Sequence, residues 1–237
     1  MEVTNPAPVN GDGRIAAHIA AARDDIASAL AESTDPARDV LLIAVSKTVG
    51  LEEVAEAIAA GVHDFGENRT AELKRKQEAY PEENWHFIGR IQTNKLKDVV
   101  GRACLIHSVA SLHALDAIEK QAAKLDIVQP VLLEVNVSGE ESKDGFAPAE
   151  LDGALEHASG LSHVRVDGLM TMAPLGDTET ARTVFENLRE MRDKRAARFK
   201  VCNNIGLNEL SMGMTQDFRE AVREGATMVR LGRSIFA

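Results

Sequence analysis

Two cysteines, one tryptophan and one tyrosine are all that 237 residues contain of the types that staple or plug small folds. Cys104 and Cys202 stand far apart without metal-type spacing, which excludes a disulfide scaffold and fits a reduced cytoplasmic compartment. No apolar run approaches the ~18 residues that span a bilayer. The first 13 residues lack a basic patch followed by an apolar stretch, so they read as a flexible tail and not as a signal peptide. The seven histidines form no HExxH or comparable ligand pattern, and no metal is expected. No GxSxG elbow is present, and Gly11 and Gly13 follow no strand, which removes a dinucleotide fingerprint. Positive charge is also scarce: 27 Lys and Arg face 37 Asp and Glu, a formal net charge of -10. The short basic runs at 74–76 and 192–198 read as solvated helix faces, so nucleic acid is not an expected partner.

What is present is ordinary globular composition, 44% apolar and 27% charged, arranged in a recurring order. Short apolar runs alternate with helical patterns. Strands are expected at 40–46, 63–65, 85–88, 105–109, 131–137, 164–170, 209–212 and 228–231. The run VLLIAVS at 40–46 is nearly continuous in apolar residues, as a strand buried on both faces requires. Helices are expected between them at 51–60, 70–77, 94–100, 111–125, 148–159, 178–199 and 217–224, with a leading helix at 14–32. Eight βα units of this length close a (β/α)8 barrel as one domain over 14–237. The strands at 63–65 and 209–212 rest on the weakest periodicity.

In such a barrel the chemistry sits at the C-terminal strand ends, and phosphate binds after strands seven and eight. Strand one ends in Ser46-Lys47-Thr48. An amine set at a barrel mouth by an apolar strand is expected to be desolvated and nucleophilic; the plain alternative is a solvated loop lysine. Strands seven and eight lead into Ser211–Gly213 and Gly232–Ser234, turns that join glycine to a hydroxyl, and the segment 233–236 reads as a short helix at the anion. A phosphate site facing an amine describes pyridoxal phosphate. Arg230 shares a strand face with Met228 and Gly232, and two roles stay open for it: the pyridine nitrogen or the phosphate. Met170, Met172, Met212 and Met214 are candidates for a flat pocket lining or for core filling.

These residues carry a resemblance. The segments LLIAVSKT at 41–48, FGENR at 65–69, WHFIGRIQTNK at 85–95, IHSV at 106–109, LEVNVSGEESKDGF at 133–146, VDGLMTM at 166–172, ELSMGMTQDF at 209–218 and MVRLGRSIF at 228–236 resemble the pyridoxal phosphate homeostasis proteins. That family is similar to the barrel half of alanine racemase. The resemblance implies that Lys47 forms the aldimine with pyridoxal 5'-phosphate, and that Ser211, Gly213, Arg230, Gly232 and Ser234 stand on the phosphate side. It also implies that Asn68 and Asn136 are pocket asparagines. Met170 joins the expected cofactor contacts. Arg233 occupies a position often filled by a small residue, and Arg90 one often filled by proline or histidine; Arg233 is counted among the cofactor-binding residues, where it either adds a phosphate contact or points away.

The implied function is a non-catalytic carrier or buffer in vitamin B6 homeostasis, a monomer that takes up pyridoxal phosphate and delivers it to apo-enzymes, with no membrane partner. A racemase-like enzyme is the alternative, and it needs an acid or base on the far ring face. The sole tyrosine, Tyr80, falls near a helix end, away from the expected mouth, and the sequence stops soon after strand eight, where racemases add a second domain. A phosphosugar barrel enzyme is a third reading that leaves Lys47 without a role.

Overall fold

The sheet closes on itself. In the computed structural model, which describes residues 13–140 and 142–237, eight parallel strands pair in chain order, and the first strand pairs with the last. The strands are β1 (Leu41–Val45), β2 (Asp64–Glu67), β3 (Asn84–Phe87), β4 (Leu105–Val109), β5 (Gln129–Glu134), β6 (Val164–Met170), β7 (Ile205–Ser211) and β8 (Met228–Leu231). The helices are α1 (Arg14–Ala31), α2 (Leu51–Ala59), α3 (Thr70–Ala79), α4 (Leu112–Leu125), α5 (Leu151–Ser159), α6 (Thr178–Phe199), α7 (Phe218–Arg223) and α8 (Arg233–Phe236). The expected (β/α)8 barrel and its leading helix are therefore present. The expected tail lies almost wholly outside the described residues.

Two departures from the expected elements have local causes. The connection after β3 is a 3-10 helix at Thr93–Asp98, and not an α-helix at 94–100. Within it only Leu96 is buried, so one apolar anchor holds the segment where a longer α-helix would need a stripe. Strand β7 begins four residues earlier than its expected start at 209. Its burial alternates from Ile205 and Leu207 to Leu210 and Ser211, and Leu207 adopts φ 50 where the ladder to β6 shifts register. That irregularity disguises the alternation on which strand recognition depends.

Helix starts follow local chemistry. Ser111 accepts a hydrogen bond from Ala114 N at the start of α4, and Asp177 does the same for Thr180 N at the start of α6. Glu53 reaches back to the backbone of Gly50 to open α2.

Apolar packing falls into two shells. The large outer shell lies between sheet and helices and includes Phe65, Trp85, Phe87, Leu115, Ile118, Leu155, Phe185 and Leu188. Phe65 stacks on Trp85 with centroids 5.2 Å apart. The inner shell is small: Ile43, Leu105, Leu132, Met170 and Met228, with Leu41 beside it. Much of the remaining barrel interior is occupied by buried polar residues, among them His86, His107, Glu134, Ser211 and Arg230.

Gly168 sits where β6 changes register against both β5 and β7. A Cβ there would overlap the Glu209 carbonyl, so the neighbouring strands must separate to admit one. Gly168→Ala is expected to destabilise the barrel by roughly 3 kcal/mol, read as a lower denaturant midpoint at unchanged slope.

Candidate functional site

The mouth of the barrel holds a cavity of about 540 Å³. Lys47 and Thr48 enter it from the end of β1, Asn68 from β2, Ile88 and Arg90 from β3, and Met170 from β6. Met214, Thr215 and Asp217 come from the loop after β7, and Arg230, Gly232 and Arg233 from β8 and α8. Four cationic side chains, Lys47, Arg90, Arg230 and Arg233, share this space with Asp177 and Asp217. Such a balance favours an anionic ligand.

Lys47 is on the lining but exposed, and no hydrogen bond or ion pair joins it to another described residue. The expectation of a desolvated lysine is therefore corrected: the amine stands at an open rim. What is buried is the residue before it. Ser46 Oγ donates to Glu67 Oε1 at 2.7 Å, and Lys76 Nζ donates to Glu67 Oε1 at 2.5 Å and to the Ser46 carbonyl at 2.7 Å. Lys76 and Glu67 are both fully buried. This triad ties the end of β1 to β2 and α3, which fixes the chain where Lys47 emerges.

The sequence reading placed Lys76 on a solvated helix face, and the structure overturns that. The signal was present: Leu73 and Lys76 are three residues apart on α3, and both are buried. Lys76→Met leaves a buried carboxylate without its cation, and unfolding experiments should show a loss of roughly 3–5 kcal/mol.

Among the other expected residues, Arg230 is buried at 4% exposure yet still reaches the cavity. Burial lowers its pKa to about 10, against the opposing pull of Glu134 and Asp217. Ser211 is fully buried inside the barrel, where it accepts from Arg230 Nη1 at 2.5 Å, and it lies beneath the cavity lining. Gly213 adopts φ 93, and a Cβ there would collide with Ala221 and Phe218, so this turn requires glycine. Gly232 opens α8 and packs against Val45 of β1. Ser234 Oγ lies 3.3 Å from Thr215 Oγ, joining the two terminal turns.

Asn136 turns into its own loop. Its amide donates to the Glu140 and Lys143 carbonyls at 2.9 and 3.3 Å, and its oxygen accepts from Gly139 N at 3.0 Å. Those bonds organise the loop after β5, and Asn136 does not line the cavity. Met172 lines the mouth and is partly exposed, and Met214 lines it too, whereas Met212 is fully buried in the outer shell.

The family model described as alanine racemase, N-terminal domain, matches residues 20–237. A pyridoxal phosphate homeostasis protein of Aquifex aeolicus is 45% identical over 198 residues, covering 82% of this chain and 85% of the relative. The chain belongs to the pyridoxal phosphate homeostasis protein family. A homologue with that description from Pseudomonas aeruginosa is 40% identical and covers 88% of each chain. Among solved structures, PipY of Synechococcus elongatus PCC7942 with PLP bound is 33% identical, with a TM-score of 0.80 and coverage of 94% of this chain and all of PipY. An alanine racemase of Clostridium difficile 630 is 18% identical with a TM-score of 0.73; that likeness extends to the fold, over 56% of the racemase chain. No helix among the described residues is long and apolar enough to cross a membrane.

Two buried ionisable groups below the cavity oppose each other in acid. Desolvation holds His107 well below 6.5, helped by His86 and Arg230. Between that lowered value and 6.5 the unfolded chain binds a proton that the folded one refuses, so stability falls as pH falls. Burial, with Asp144 nearby, raises Glu134 from 4.5 to about 7. Over that window the folded chain binds the extra proton, which adds stability as pH falls. Glu134→Gln removes this offset. The variant should lose stability more steeply than the parent between pH 7 and 5, by up to about 1.4 kcal/mol per pH unit, in denaturant titrations at several pH values.

Proposed function

We propose that this protein binds pyridoxal 5'-phosphate at the barrel mouth, covalently through Lys47, and holds or delivers it without catalysing a reaction on it. The observation that carries this reading is the sharing of one cavity by the Lys47 amine and the β8–α8 turn of Arg230, Gly232 and Arg233. Bound there, the cofactor would supply an aldehyde for the amine and a phosphate for the turns.

The residues present fit such a group. The first N–H groups of α8 have no partner within the helix, and the hydroxyls of Thr215 and Ser234 stand together between the two turns. Gly213 lets the turn after β7 pack closely against Ala221 and Phe218 of α7, and Gly232, on the cavity lining, lies against Val45. Arg233 adds a cation at the rim. Asn68 and Met170 flank the ring space, and Arg230 projects from the floor. Ser211 acts from below by holding Arg230, and Asn136 by shaping the neighbouring loop. The exposed position of Lys47 suits a reversible exchange, in which the amine condenses with the aldehyde, releases water, and later gives the aldehyde back to water or to another amine.

Support for a non-catalytic role comes from two sources. The relatives are described as homeostasis proteins, and PipY is known with PLP bound. The one tyrosine is spent elsewhere: Tyr80 donates to the Leu51 carbonyl at 3.0 Å behind the sheet. It offers no acid or base on the far side of the cavity. Delivery would serve apo-enzymes of the cytoplasm.

Incubation with pyridoxal phosphate followed by borohydride reduction should place the label on Lys47 by peptide mass, and Lys47→Ala should lose both label and visible absorbance. Steady turnover of an L- or D-amino acid would overturn the carrier reading. Transfer to an apo-enzyme faster than release into free solution would establish direct handover.

A further inference from the structure

A chain of polar side chains threads the barrel interior from its lower end to the cavity. Asp64 Oδ1 lies 3.1 Å from His86 Nε2, and His86 Nδ1 lies 2.9 Å from His107 Nε2. His107 Nδ1 lies 2.8 Å from Ser211 Oγ, which accepts from Arg230 Nη1 at 2.5 Å. A second guanidinium nitrogen, Nη2, donates to the Thr171 carbonyl at 3.0 Å. Five strands contribute: β2, β3, β4, β7 and β8. His86, His107, Ser211 and Arg230 are all buried. Asp64 lines a second cavity of about 390 Å³ at the opposite end of the barrel, bordered by Arg23, Arg38 and His63.

With both rings neutral, the carboxylate end decides the direction of every hydrogen bond in the chain. A guanidinium can only donate, and a carboxylate can only accept. His86 therefore carries its proton on Nε2 and donates to Asp64, which leaves His86 Nδ1 to accept from His107 Nε2–H. His107 Nδ1 is then an acceptor and takes the Ser211 hydroxyl proton, while Ser211 Oγ accepts the Arg230 N–H. Each link has one donor and one acceptor. A proton added to His86 Nδ1 would face the His107 Nε2–H donor.

We infer that this ordered chain clamps Arg230 in the cavity floor, making Asp64, His86, His107 and Ser211 positioning residues for the ligand. Two of the five guanidinium N–H donors are consumed by Ser211 and Thr171. The remaining donors are held toward the cavity without rotation. The groups facing the chain are consistent with this ordering: His107 meets His86 and Arg230, and Arg230 also feels Glu134 and Asp217. The significance for the ligand rests on the reading of Arg230 as a cofactor contact; the clamp itself does not.

Nitrogen-15 NMR of the ligand-free protein tests the clamp directly. Both rings should appear as the neutral Nε2–H tautomer at pH 7.5, and Arg230 should show separately resolved Nη1 and Nη2 signals. An Nδ1–H tautomer on either ring, or titration of His107 at pH 6.5 or above, overturns the inference. In Asp64→Leu and His107→Leu the two Arg230 signals should merge through free rotation, whereas Asp64→Asn, which still accepts from His86, should preserve them. Separate signals in both leucine variants would also overturn it. With pyridoxal phosphate added, Asp64→Leu should bind about tenfold more weakly while borohydride still labels Lys47; unchanged affinity refutes the role toward the ligand. If the parent protein binds no pyridoxal phosphate but its NMR pattern holds, the clamp stands and the cofactor reading fails.

Discussion

Closure of the sheet between β1 and β8 is the constraint on which the site depends. Leu41 to Ala44 pair in register with Met228 to Leu231, so the end of the first strand lies beside the end of the last. Gly232 packs against the Val45 backbone and side chain, and Lys47 follows two residues later. Lys47 near the start of the chain and the Arg230–Arg233 turn near its end thus line one cavity through eight parallel pairings. Long-range pairing of this kind pays its loop-closure entropy once, and every mouth residue shares the result.

Closure alone does not aim the loop after β1. The Ser46–Glu67–Lys76 triad does that, by pinning the Ser46 carbonyl and hydroxyl at the same carboxylate-cation pair. A buried ion pair contributes little net stability compared with apolar packing, because desolvating both charges offsets much of their attraction. Its retention here makes physical sense as geometry. Three hydrogen bonds of the triad hold the chain one residue before Lys47, while the Lys47 side chain itself is exposed. The triad thus fixes where Lys47 leaves the barrel.

Much of the fold was legible because parallel barrel strands are buried on both faces and read as continuous apolar runs. The strands at 105–109, 164–170 and 228–231 were placed to the residue, even though LIHSV, VRVDGLM and MVRL carry polar residues within their apolar runs. Legibility fell where polarity entered the barrel. Strand β2, DFGE, has one large apolar residue, and β7 carries a bulge at Leu207. The site followed the same rule. Residues at strand ends, Lys47, Asn68, Arg230, Gly232 and Arg233, were found from position and family pattern, and they do line one cavity. The inward histidines, His86 and His107, were missed, since a single His in NWHF or LIHSV has no periodic partner in its own strand. Their partners lie on other strands, and only the closed sheet brings them together.

That polar interior also explains why the inner apolar shell is so small. Filling the upper layers with Ile and Leu would strengthen the core, as barrels usually do. Here His86, His107, Glu134, Ser211 and Arg230 occupy those inward positions, and no buried side-chain nitrogen or oxygen among the described residues lacks a partner. A satisfied network costs less than its charges suggest, but it tolerates few rearrangements, because one donor in the wrong place leaves another unpaired. The barrel therefore gives up some apolar burial for a connected polar floor beneath the cavity. Such a floor can present a cation to a ligand in one orientation, and it does so from strands that a ligand exchange at the rim need not disturb.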